Sequence, residues 1–306
     1  MKVLGFGAIL WDNIKEDSGT INSNSVVGEK NIGGSVFNVI VHLKKLGYGA
    51  YMLSAVGDDK LGKKTFEEID RLGIHKDFIG TSEAPTCLVE VSFDKEGSPH
   101  YSCPDIVSWD QIKEKNKAEK INDLNFDLFV FGTLEQRNII SRNTLHNILE
   151  NVHFKNVYTD LTLRGGFYDK NILGYSMRKA NIVKMNDDEA FVVNKLFEFK
   201  QTDVQKLIRI IAREFNCDIV CITSGSRGAY IGDRSTTVYK PAYKITVKDT
   251  VGSGDAFSAG LLYMLDNGAS IGEACNFGNK MGALISSKRS SIPDYDISEI
   301  GNIMNS

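Results

Sequence analysis

The 306-residue chain predicts an α/β fold, a mostly parallel central sheet covered by helices on both faces, with a small separate β-sheet. Two observations carry this expectation. From Phe126 onward, short apolar strands alternate with amphipathic helices, a pattern that requires a parallel sheet covered on both faces. Earlier in the chain, two stretches at about 13–32 and 78–104 interrupt that alternation with glycine-broken β patterns. The two insertions read as one small sheet, and the length fits one α/β domain with this appendage as well as two domains.

The elements follow in order. "KVLGFGAIL" reads as a buried strand, and "SVFNVIVHLKKLG" as a helix with Val36, Val39, Ile40 and Leu43 on one face, stopping at Gly47. "AYMLSAVG" is a strand, and "KLGKKTFEEIDRLG" a helix that ends at Gly73. "PTCLVEVSFDKEGSPHYS" contains two β runs around a Lys-Glu-Gly turn. "FDLFVFGTL", "NVYTDLTL", "NIVKMN" and "DIVCITSG" are strands separated by helical segments. The clearest helix is "DVQKLIRIIAREF", where Val204, Leu207, Ile208, Ile211, Ala212 and Phe215 form one apolar stripe. Ligands of such sheets bind beyond the carboxyl ends of the strands.

Composition excludes several classes. The chain is 42% hydrophobic and 25% charged with a formal net charge of −3, so no general field draws nucleic acid or anionic membrane. No run of about 18 apolar residues suggests a membrane span. The start "MKVLGFGAILWDN" reaches Asp12 without a small-residue cleavage site, which favours a first strand over a signal peptide. Five scattered cysteines lack the second pair of a zinc site and read as reduced thiols of a cytoplasmic protein.

The chemistry concentrates in "KDTVGSGDAFSAGLL", from Lys248 to Leu262. Phe257, Gly260, Leu261, Met264 and Leu265 recur at helical spacing, so a helix begins near Gly254. Gly252, Ser253 and Gly254 lie at its start, where backbone N–H groups lack internal partners and the helix dipole favours an anion. Asp255 suits two roles there. It can satisfy first-turn N–H groups, or it can accept the proton of an alcohol that attacks a phosphoryl group.

"DTVGSGD" resembles the D-T-x-G-A/S-G-D signature of the ribokinase-like, or PfkB, carbohydrate kinases. "GGSVFNVIVHLKKLG" resembles that family's other signature, a Gly-Gly pair followed by Asn and a helix ending Leu-Gly. The resemblance covers essentially the whole chain. It implies a single ribokinase-like domain over residues 1–306, a three-layer α/β/α sandwich whose insertions at about 13–32 and 78–104 form a β lid, ATP-dependent phosphorylation of a sugar hydroxyl, and the catalytic-base role for Asp255 beside an anion hole of Val251 to Gly254 N–H groups.

It further implies that Asp12, Gly33, Gly34 and Asn38 hold the sugar. "DLTLRGG" is similar to a D-x-N-x-R element of fructokinase-like and ketodeoxygluconate-kinase-like members, with Thr162 in place of Asn and Arg164 as a substrate clamp. "FGTLEQR" and "VSWD" are also most similar to fructokinase-type members. "NDDE" resembles the family's N-x-x-E element, giving Asn186 to the nucleotide and Glu189 to Mg²⁺ through water. Thr223, Gly225 and Gly228 of "TSGSRG", and Asn279, fall at ATP-binding positions. Asp249, Val251 and "SSKRSS" make a candidate K⁺ site from backbone carbonyls.

The expected reaction is transfer of the ATP γ-phosphate to fructose. Ribose, 2-keto-3-deoxygluconate, a nucleoside or a sugar phosphate are the alternative acceptors. A non-catalytic sugar- or nucleotide-binding regulator is the reading from a different class. Sugar and ATP are the expected partners, with homodimerisation through exposed edges of the lid. Two near-motifs are set aside. "GDDKLGKK" carries Lys64 where a P-loop needs Ser or Thr, and "GFGAIL" has Leu10 where a dinucleotide fingerprint needs Gly or Ala.

Overall fold

The computed structural model describes residues 1–14, 30–93, 99–113 and 117–304. Its strands are β1 (Lys2–Phe6), β2 (Leu10–Ile14), β3 (Lys30–Gly33), β4 (Gly49–Gly57), β5 (Ile79–Ser82), β6 (Cys87–Phe93) and β7 (Pro99–Ser102). The remainder are β8 (Leu128–Gly132), β9 (Asn156–Asp160), β10 (Ile182–Asn186), β11 (Ile219–Thr223), β12 (Ala229–Gly232) and β13 (Thr237–Lys240). Nine of them form one sheet in the order β13-β12-β11-β10-β9-β8-β1-β4-β5. From β11 to β5 every pairing is parallel, and β12 at the other end pairs antiparallel with both β11 and β13.

Helices cover both faces, as near-continuous apolar strands require. On one face lie α1 (Ser35–Lys45), α2 (Lys60–Arg71), α8 (Ser253–Asp266) and α9 (Ile271–Ser286), through Val39, Ile40, Ile69, Ala259 and Met281. On the other lie α3 (Lys117–Leu124), α4 (Ile139–Asn151), α5 (Lys170–Lys179), α6 (Asp187–Leu196) and α7 (Val204–Glu214). A short α10 (Ile297–Gly301) follows α9. The expected α7 stripe is real: Leu207, Ile208, Ile211 and Ala212 are buried, and Asp203 caps the helix by accepting from the N–H groups of Gln205 and Lys206.

The four-stranded second sheet has the order β3-β2-β6-β7. Residues 15–29 of the first expected insertion and the Lys95–Gly97 turn lie outside the described residues. Three expectations change. The opening apolar run is two strands, because the chain leaves the large sheet after Phe6 and joins the small one at Leu10. The start of α1 presses on the break: a methyl group on Gly7 would lie 2.7 Å from Val36 Cβ. Ile79–Ser82, read as part of the lid range 78–104, instead pairs parallel with β4 in the large sheet. The β12–β13 hairpin was not read from the sequence at all. The false P-loop is also accounted for. Asp59 caps α2 by accepting from Gly62 N–H at 2.7 Å and ties down Thr86 N–H at 2.8 Å.

Candidate active site

β1 pairs with β4 on one side and β8 on the other, so successive connections leave the sheet in opposite directions beyond the end of β1. The start of α8 lies at this edge. Gly252, at φ +79°, turns the chain into the helix, and a methyl group on it would lie 2.5 Å from Ser291 Cβ. Glycine is therefore required twice over, by backbone angle and by packing.

Asp255 sits in the first turn of α8 without capping it. The Ser35 hydroxyl donates to its Oδ1 at 2.7 Å, and the Asn38 carboxamide donates to its Oδ2 at 2.8 Å. Both partners come from α1. Burial pushes the Asp255 carboxyl up to about 6, and the nearby Asp160 charge adds to this. The Asn38 and Ser35 hydrogen bonds and Lys184 pull the other way. A carboxylate poised near neutrality and held by two donors can take a proton from an alcohol.

The anion hole is narrower than expected. The Val251 N–H donates to the Asp249 carboxylate at 3.0 Å, and both the N–H and the hydroxyl of Ser253 turn back to the Thr250 carbonyl, at 3.3 and 2.8 Å. Ser253 is thus consumed by its own turn. The N–H groups of Gly252 and Gly254 are left without an acceptor among the described residues.

Lys184, from β10, completes this corner and was missed by the sequence reading. A methyl group on Gly254 would lie 3.4 Å from Lys184 Nζ, so the ammonium flanks the helix start. It pairs with Asp160, at the end of β9, at 2.8 Å, and both side chains are buried. Burial alone would lower the lysine, but Asp160, Glu189 and Asp255 together hold it above the ordinary range, so it stays charged. A lysine inside the apolar strand "NIVKMN" was the available signal, because a buried ammonium requires a partner. Tyr158 donates to Ser258 Oγ at 2.6 Å and Ser258 donates to the Gly254 carbonyl at 2.9 Å, packing β9 against α8.

The expected sugar residues adjoin this corner. Asp12 is pushed up to about 6 by burial. A methyl group on Gly33 would lie 3.5 Å from Asp12 Oδ2 and 3.9 Å from Asn38 Oδ1, so both polar groups flank Gly33. Gly34, at φ +126°, leaves no room for a side chain against the Ala8 carbonyl. Asn38, expected to hold the sugar, is already engaged: its N–H₂ donates to Asp255 through one of its two hydrogens, and its Oδ1 faces the Ser291 hydroxyl at 3.4 Å. Thr162 lies 3.5 Å from Ser35 Oγ, so the position that departs from the D-x-N-x-R element adjoins the Asp255 network. Glu135 was also missed. It is buried near the ends of β1 and β8, with Oε1 accepting from Ala8 N–H at 2.8 Å and Oε2 without a partner among the described residues, and burial raises its carboxyl.

Arg164 is exposed and lines a cavity of about 290 Å³ with Leu163, Tyr168, Asn186, Asp188 and Glu189. Asn186 caps α6 by accepting from Glu189 N–H at 2.8 Å, and Glu189 Oε2 accepts from Asn186 N–H at 2.7 Å. Glu189 Oε1 also accepts from Leu163 N–H at 3.3 Å. Burial and the Asp160 charge push Glu189 up to about 7. Thr223 ends β11 beside Asn186. Gly225 and Gly228 shape the following turn with φ values of +54° and +103°. Asn279 differs from expectation: its N–H₂ donates to the Lys240 and Pro241 carbonyls at 3.1 and 3.0 Å, which anchors the end of β13 and uses both donors. Among the described residues no three His, Cys, Asp or Glu side chains cluster as a metal cage.

A mostly parallel sheet with this glycine-led helix start at its carboxyl edge, beside a small separate sheet, has the ribokinase-like architecture. The chain belongs to the PfkB family of carbohydrate kinases, whose family model (pfkB family carbohydrate kinase) matches residues 6–297. It is similar to an uncharacterized sugar kinase of Pyrococcus horikoshii, 26% identical over 94% of this chain and 90% of that protein. That protein's structure in complex with ATP has a TM-score of 0.76, covering 99% of this chain and 100% of that one. Probable fructokinase-5 of Arabidopsis thaliana is 21% identical over 95% of this chain and 93% of its own length. Ribokinase from Thermotoga maritima has a TM-score of 0.79 at 18% identity, covering 99% of this chain and 98% of that one. No helix of the described residues is long and apolar enough to cross a membrane.

Proposed function

We propose that the chain transfers the γ-phosphoryl group of ATP to a hydroxyl of a small sugar, with fructose the acceptor. The observation that carries the reading is Asp255, held by Ser35 and Asn38 beside the free N–H groups of Gly252 and Gly254. Asp255 takes the hydroxyl proton as the oxygen attacks phosphorus. The two N–H groups and the Lys184 ammonium stabilise the charge on the transferring phosphoryl oxygens. Asp12 and the backbone at Gly33 and Gly34 hold the sugar, and Arg164 closes on its far end. Asn186, Thr223, Gly225 and Gly228 border the nucleotide, with Asn279 fixing the wall behind them. The small sheet acts as the lid that excludes water from the reacting phosphate.

Glu189 suits a hydrated Mg²⁺, since each carboxylate oxygen accepts one backbone N–H and retains a lone pair for a metal-bound water. When bound, the ion neutralises charge on the nucleotide phosphates. The candidate K⁺ site has its two segments together. The Lys248 N–H donates to the Ser286 carbonyl at 2.8 Å and Gly252 packs on Ser291, which supports the Asp249 and Val251 carbonyls as candidate ligands. Free thiols and ATP as donor fit a cytoplasmic enzyme, and the edges of the small sheet fit a homodimer, which sedimentation tests.

The fructose assignment is supported by fructokinases among the relatives, probable fructokinase-5 of Arabidopsis thaliana being one. The test is ADP release with a panel of fructose, ribose, 2-keto-3-deoxygluconate, nucleosides and sugar phosphates. Fructose should give the highest kcat/KM. A preference for another acceptor removes the fructose assignment alone. Tight binding of sugar and ATP with no transfer to any acceptor would support the regulatory reading instead.

A further inference from the structure

Cys87 opens β6, and Cys103 directly follows β7. The two strands pair antiparallel with Glu90 opposite Ser102, so the same register sets Cys103 opposite Val89 and diagonal to Cys87 on one face. The sulfurs lie 3.3 Å apart. A disulfide needs about 2.05 Å, so small side-chain rotations close the gap.

The two thiols differ in access. Cys87 is buried and Cys103 is exposed. Arg137 faces Cys103 and is itself fixed: it donates to both oxygens of Asp110, at 2.8 and 2.7 Å, and to the Pro104 carbonyl at 3.2 Å. The contact with Cys87 draws the Cys103 thiol down to about 7 against burial, with Arg137 adding to the fall and Asp110 opposing it. That contact, with burial, holds Cys87 protonated. Cys217, Cys221 and Cys275 are buried, and burial raises all three.

We propose that Cys103 and Cys87 form a peroxide-reactive dithiol at the base of the small sheet, Cys103 attacking and Cys87 resolving. The Cys103 thiolate attacks one oxygen of a hydroperoxide, the O–O bond breaks, and hydroxide or alkoxide leaves. Sulfur is oxidised by two electrons to a sulfenic acid, and the peroxide is reduced. Cys87 sulfur then attacks the Cys103 sulfur. The S–O bond breaks, the Cys87 proton goes to the leaving oxygen, and water departs as the S–S bond forms.

The bridge would tie the first residue of β6 to the chain returning from β7. Cys87 pairs in register with Leu10 of β2, two residues before Asp12. The bond therefore fixes the small sheet where it joins the sugar side of the site. Turnover is expected to fall several-fold on oxidation and to recover with dithiothreitol. That readout rests on the proposed function, whereas detection of the bridge does not.

The experiment treats the full chain with hydrogen peroxide and maps its peptides by mass without reduction. The expected product is a Cys87–Cys103 peptide pair lacking two hydrogens, reversed by dithiothreitol. Cys87→Ser should stop at a Cys103 sulfenic acid that dimedone traps. Cys103→Ser, at an exposed position, should keep untreated activity and leave Cys87 unmodified at the same dose. Should Cys87→Ser fail to fold, the wild type and Cys103→Ser decide the matter. Oxidation of wild-type Cys103 without a bridge overturns the proposal. So does modification of Cys87 in Cys103→Ser, or modification of Cys217, Cys221 or Cys275 as fast as Cys103. A bridge that forms with turnover unchanged overturns its effect on the site, provided that the untreated protein turns over.

Discussion

The Ser35 hydroxyl reaches across 220 residues of sequence to donate to Asp255 Oδ1 at 2.7 Å, and Asn38, one turn along the same helix, holds Oδ2 at 2.8 Å. Two donors on one face of α1 therefore fix both oxygens of the base. They also favour its ionised form, against burial that raises it.

The first prediction concerns pH. A base must be unprotonated, and Asp255 is raised to about 6, so kcat/KM should fall as pH drops through about 6 rather than through the ordinary aspartate range near 3.8. Ser35→Ala or Asn38→Ala removes a donor to the charged form, raises the carboxyl further, and should move the acid limb to higher pH. Asp12 is also raised to about 6. Asp12→Asn separates the two, because the limb should persist in that variant. A limb that stays put in both donor variants would remove Asp255 from the role of base.

Asp255→Asn retains size and both neighbours but cannot accept the proton. Turnover should fall by roughly 10²–10⁴-fold, with ATP and sugar affinity nearly unchanged by calorimetry. An asparagine variant at full rate would end the base assignment while leaving the kinase reading intact.

Lys184 is predicted to have two separable roles. Lys184→Met strands buried Asp160, a loss of about 3–5 kcal/mol when one partner of a buried pair is removed. Adding Asp160→Asn removes the stranded charge, so the double variant should recover much of the stability in denaturant melts. Its kcat should remain low, because the cation beside Gly254 is still missing. Recovery of both quantities together would make Lys184 purely structural.

Much of this was legible because it is local. The α7 stripe, the glycine-led start of α8 and the Gly33–Gly34 turn each follow from neighbouring residues. The tertiary relations were not legible. Nothing in "GGSVFN" says that Ser35 and Asn38 face Asp255, and a polar residue on α9 gives no hint that Asn279 pins two carbonyls near β13. The β12–β13 hairpin escaped because its strands are four residues each and its inner turn is held by Asp233, which accepts from the N–H groups of Ser235 and Thr236. Ile79–Ser82 was misassigned because a short β run does not reveal which sheet it will extend.

The last prediction contrasts two glycines two residues apart. Gly252 has φ +79° and no room beside Ser291, so Gly252→Ala must strain the backbone and displace the 286–291 segment. It should destabilise the protein by about 1–3 kcal/mol, visible as a lower melting temperature. Gly254 has an ordinary helical position, and a methyl group there would meet only Lys184 Nζ at 3.4 Å, an ordinary contact. Gly254→Ala should therefore melt like wild type. Its methyl group, however, would stand between the free N–H groups and an approaching phosphate, so kcat/KM for ATP should fall by roughly 10²-fold, the scale of losing one oxyanion donor. Equal melting losses in the two variants, or full activity in Gly254→Ala, would place the transferring phosphate elsewhere.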